Sequence, residues 1–69
     1  MTANQFRIAL DRLKLSQLGA ARLLKADERT ARRWALGERS IPVAVAVLLR
    51  LLISGKITVA DVEAAHDHR

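Results

Sequence analysis

Apolar residues recur at helical spacing from the start of the chain, where Phe6, Ala9, Leu10 and Leu13 would line one side of a helix ending near Lys14. Thr2 with Gln5 three residues on is a capping-box pair and sets that helix's start. Arg7 and Asp11 are spaced as an exposed i, i+4 ion pair. Ser16 is a second N-cap, and residues 17–24 follow without a breaker, with Ala20, Ala21 and Leu24 as the predicted inward stripe. Lys25-Ala26 reads as a turn, and Asp27 as the cap of a third helix that Gly37 ends in a left-handed conformation.

Beyond Gly37 the pattern changes. Residues 42–53, PVAVAVLLRLLI, are apolar except for Arg50, and Pro42 suits the first turn of a helix because its missing N–H has no partner there. A helix apolar nearly all round is expected to be covered nearly all round, as the centre of a small core or as an element shared with a second subunit. Ser54-Gly55-Lys56 stops it. Thr58 and Asp61 then form a second capping box, with Ile57 and Val62 at staple spacing, and open a helix of about residues 59–66 that is too short to stand alone.

Charge divides the third helix into two faces. At about 100° per residue, Ala31, Trp34 and Ala35 share one side, and Arg29, Arg32 and Arg33 share the other. Guanidinium groups pair bidentately with phosphate or with the O6/N7 edge of guanine, so a short helix held by its apolar side and presenting three of them suits the DNA major groove. A run of charge taken alone is more often a solvated helix face.

Several residues in register favour the first reading. Ser16-Gln17 opening one helix, Ala21 within it, Asp27 opening the next, Trp34 within that, and the basic loop Gly37-Glu38-Arg39-Ser40-Ile41-Pro42 after it resemble the helix-turn-helix of the Cro and phage-repressor family. The resemblance covers about residues 5–53. It implies an all-α, compact five-helix bundle of the lambda-repressor-like kind that binds double-stranded DNA as a transcriptional regulator. Three positions depart from the family. Lys25 replaces the turn glycine, which implies positive φ at a cost of roughly 1 kcal/mol. Ala31 replaces Val or Ile, and Leu10 and Ala35 stand where many members carry an Arg–Glu pair, so an apolar contact is expected there instead.

Arg29 and Arg33, one turn apart, are the candidates for base-edge contact. Glu28 has two readings, acceptor from a cytosine N4 or compensation of the helix dipole. In the family the residue at Gln17 contacts phosphate. That role carries over to Gln17, with Lys25, Arg32 and Arg39 as further phosphate contacts.

Composition narrows the partner class. The chain has 69 residues, 12 Lys+Arg against 7 Asp+Glu, and no Cys. Residues 57–69 carry a net −2, which leaves +7 on the first 56, so the front of the chain is expected to face DNA. A domain this small buries only about 60% of its unfolded surface, and a homodimer through residues 42–66 would add to the core. No cofactor, metal or catalysis is expected: there is no thiol or phosphate loop, and both His residues lie in the tail His66-Asp67-His68-Arg69, which has too few ligands for a metal. Residues 1–7 do not read as a signal peptide and no apolar run spans a bilayer, so a cytoplasmic regulator of bacterial or phage type is expected. The competing reading is an antitoxin-like or co-regulator module that binds another protein through its apolar C-terminal half.

Overall fold

A computed structural model describes residues 1–67. Five helices follow one another: α1 (Ala3–Arg12), α2 (Gln17–Leu24), α3 (Glu28–Leu36), α4 (Val43–Ser54) and α5 (Val59–Asp67), with no strand among the described residues. Two capping boxes open α1 and α5. The Gln5 main-chain amide donates to Thr2 Oγ1 at 3.1 Å while Thr2 N donates to Gln5 Oε1 at 2.9 Å; likewise Asp61 N donates to Thr58 Oγ1 at 3.1 Å and Thr58 N to Asp61 Oδ2 at 2.8 Å. Ser16 caps α2 by accepting from Gly19 N at 2.9 Å. Asp27 has the backbone of an N-cap, but its side chain accepts no capping bond, contrary to the sequence expectation. Its main-chain carbonyl takes the first helical bond from Ala31 N, and the exposed carboxylate stays with solvent.

The first four helices end in the same way. The amides of Leu15, Ala26, Glu38 and Lys56 reach back to the carbonyls of Leu10, Ala21, Arg33 and Leu51, the six-residue closure of a Schellman motif. Each closure needs a left-handed residue just before the donor. Gly37 and Gly55 supply two, and Lys14 (φ 56°) and Lys25 (φ 55°) supply the others. Lys25 is as the sequence predicts. Lys14 corrects α1's expected end, because the left-handed backbone there stops the helix at Arg12.

The core lies where α1, α2 and α3 meet over α4. Phe6 and Leu49 are its largest fully buried side chains. Phe6 meets Trp34 edge to face, with ring centroids 5.9 Å apart and planes at 77°. The small faces work as expected: Ala20, Ala21, Ala31 and Ala35 are all buried, which lets α2 and α3 approach closely across their short turn. On α2 the third buried residue is Leu23, with Leu24 half-buried. The reason is α5, which packs on α2 from the far side. His66 Nε2 lies 2.6 Å from the Leu23 carbonyl, and since a carbonyl only accepts, the ring nitrogen donates.

Within the single chain α4 is covered on one side only, so it is not the fully enclosed centre of the core. Ala46, Leu49 and Leu52 face the core, yet Val43 is 79% and Val47 46% exposed. α1 covers one side of α4, and the 12-residue helix keeps an apolar strip open on the other. Pro42 precedes α4 as its N-cap rather than forming its first residue. No helix among the described residues is long and apolar enough to cross a membrane.

Candidate nucleic-acid interface

The geometry of α3 follows from what it buries. Ala31, Trp34 and Ala35 are 0–5% exposed, and their mean direction points into the bundle. The opposite direction, at about 100° per residue, passes between Arg29 and Arg33, each within about 30° of it. Arg32 lies roughly 70° to one side, and Glu28 further round on the same side. All four are exposed. The two predicted base readers are therefore the outermost side chains of the helix, and Arg32 is on its flank.

Arg29, Arg32 and Arg33 line one shallow cleft together with Leu36 and Glu38, and Glu28 lines a second with Arg29 and Arg32. Leu36 and Glu38 are additions that the charge pattern did not single out. Leu36 is exposed because it sits one turn beyond Arg32 on the outward face, a position the helical period gives once the buried side is known. Glu38 is held by its own main-chain amide, which donates to the Arg33 carbonyl at 2.9 Å, and the residue lines the cleft beside the arginines. The side-chain hydrogen bonds among the described residues involve Thr2, Gln5, Arg7, Ser16, Ser54, Thr58, Asp61 and His66; none engages Arg29, Arg32, Arg33 or Arg39. Those donors face solvent.

The other candidates are placed around this face. Gln17 is the first residue of α2, exposed, and borders a cleft with Arg7, Leu10, Asp11 and Leu15 instead of the arginine cleft. Lys25 is exposed at the left-handed turn between α2 and α3, and Arg39 is exposed in the loop after α3. Arg7 departs from its expected pairing with Asp11: its Nη1–H donates to the main-chain carbonyl of Ala35 at the end of α3. His66 is held on the Leu23 carbonyl, while His68 and Arg69 of the predicted tail lie outside the described residues.

A buried Trp–Ala face thus fixes α3 from behind, α1 holds its C-terminal end through Arg7, and an arginine-rich ridge that includes Leu36 projects outward. Guanidinium groups placed in this way can pair with phosphate oxygens or with the O6/N7 edge of guanine. No family model, curated protein or solved structure matches the chain.

Proposed function

We propose that the chain is a sequence-specific double-stranded DNA-binding regulator of the Cro and repressor type, acting in the cytoplasm, in which α2, the Lys25-Ala26-Asp27 turn and α3 form a helix-turn-helix. The observation that carries this reading is the outward ridge of α3, where Arg29 and Arg33 stand opposite a fully packed Trp34 face. α3 enters the major groove, Arg29 and Arg33 read guanine edges, and Arg32, Arg39, Lys25 and Gln17 hold phosphates. A homodimer through the C-terminal half presents two such helices. The strip Val43, Ala44, Val47 and Leu51 on α4 is the apolar surface available to it.

Selection of bound sites from random duplex DNA tests the proposal. The expected outcome is a roughly palindromic site with half-sites one helical turn, about 34 Å, apart. Affinity should fall with salt at a slope near −3 per chain, from about 0.9 for each of three cationic phosphate contacts. Failure to enrich any sequence, with binding as tight to random duplex as to the selected pool, would reduce the surface to a general basic patch.

A further inference from the structure

A second surface lies on the other side of α1. Gln5, Ile8 and Arg12 of α1 face Arg50 and Ile53 of α4 across an open groove, with Met1 at one end and Ala9 in its floor. Ile8 is 47% and Ile53 36% exposed, so the groove presents branched apolar side chains to water. The polar groups on its rims are the guanidinium groups of Arg12 and Arg50 and the amide of Gln5, whose oxygen is already held by Thr2 N. No carboxylate lines it among the described residues.

Arg7, which reaches α3, lies about 100° round α1 from Ile8. The groove therefore opens on a different side of α1 from its contact with α3 and shares no lining residue with the arginine cleft. An apolar floor between two cations is complementary to an apolar ridge between two anions.

We infer that this groove docks a short amphipathic segment of a partner protein, with apolar residues at i, i+3, i+4 and i+7 flanked by Asp or Glu that pair with Arg12 and Arg50. A second copy of this chain fits worse. Two-fold pairing of the groove with itself would bring four guanidinium groups together with no carboxylate among the lining residues. The chain's own acidic helix, α5, already buries its one core residue, Val62, inside the bundle. A lipid surface also fits worse, because the exposed isoleucines sit in a concave groove and not on a convex face. The inference does not depend on DNA binding by α3.

The experiment is selection of random-sequence peptides of about three helical turns, displayed on phage, against the intact chain. Winners are then mapped by amide chemical shifts on the labelled protein. The expected winners are acidic, with apolar residues at helical spacing, and perturb Ile8, Ala9, Arg12, Arg50 and Ile53. Arg12→Glu and Arg50→Glu, both at exposed positions and each checked for native helicity, should weaken them about tenfold, whereas Arg29→Ala and Arg33→Ala should not. Winners that are neutral or basic, winners that perturb α3 instead, or a selection that enriches nothing would overturn the proposal. So would groove residues protected by self-association, or protected only by anionic vesicles.

Discussion

The guanidinium of Arg7 donates to the main-chain carbonyl of Ala35, and this bond ties α1 to the last turn of α3. Leu10 and Ala35 are both buried in the shared core, as apolar residues at those positions were expected to be. The Arg7 bond adds a cation at the negative end of the α3 dipole, where the last carbonyls lack helical partners. It also fixes how α3 sits against α1, and so how the arginine ridge is aimed.

Arg7→Met keeps most of the aliphatic stem and removes the donor. It should lower stability by about 1 kcal/mol, since the group is exposed and the bond is charge-assisted. Chemical denaturation measures this. A loss confined to Arg7→Met, with Asp11→Asn neutral, separates the bond to Ala35 from an Arg7–Asp11 pair, which would make the two variants alike.

Lys14 and Lys25 both hold left-handed backbone, where a Cβ crowds the following carbonyl. Replacing either with Gly relieves that crowding and increases the entropy lost on folding, for a net gain of about 0.5 kcal/mol. The two variants should differ in DNA binding. Lys25→Gly should be more stable and yet bind DNA less tightly with a shallower salt slope, while Lys14→Gly should gain stability alone. Equal effects on binding would remove Lys25 from the phosphate contacts.

Trp34 is 5% exposed and its indole N–H is buried with no hydrogen-bond partner among the described residues. Its emission should be that of a shielded indole, poorly quenched by acrylamide. Trp34→Ala should cost about 3–5 kcal/mol, enough to unfold a domain of this size. Trp34→Phe should cost much less: it leaves a smaller void, keeps an aromatic contact with Phe6, and removes a buried donor whose lack of a partner itself costs about 1–3 kcal/mol. Thermal unfolding of the two variants compares them, and a loss for Trp34→Phe as large as that for Trp34→Ala would overturn this account of the site.

The elements were legible in the sequence where the signal is local. Both capping boxes, the Ser16 cap, the stops at Gly37 and Gly55 and the buried alanines of α2 and α3 follow from side chains a few residues apart. What was not legible depends on distant chain. Lys14 carries no turn signal of its own; it takes a left-handed backbone where the Leu15 amide closes back on Leu10. Leu23 joins the core beside the half-buried Leu24 because α5 returns to α2, and Arg7 leaves Asp11 for a carbonyl 28 residues away. For the candidate interface, period alone gave the ridge. Glu38 escaped because a residue past the helix end has no place on a helical wheel.

Val43 and Val47 are the most direct measure of association. If α4's open strip pairs two copies, the chain should sediment as a dimer at micromolar concentration, and Val47→Asp should give a folded monomer, since the position is exposed and the core side of α4 is untouched. A monomer in the wild type, with and without DNA, would exclude that strip as a subunit interface.

The arginine face makes the sharpest claim, because its members are separable. Arg29 and Arg33 lie closest to the outward axis of α3, so if each pairs with a guanine edge, Ala at either should lose about 1–3 kcal/mol on the selected site and little on scrambled DNA. Arg32 on the flank and Arg39 in the loop should weaken both DNAs about equally and lower the salt slope by about one unit each. Glu28 adds a control. As acceptor from a cytosine N4, its replacement by Gln should change which base is preferred opposite the start of α3. As compensation for the helix dipole, the same change should lower stability slightly and leave preference unaltered. Titrations of these five variants against selected and scrambled duplexes at several salt concentrations decide among the roles. Arg29→Ala and Arg33→Ala lowering both affinities by one common factor would withdraw base reading and leave only charge.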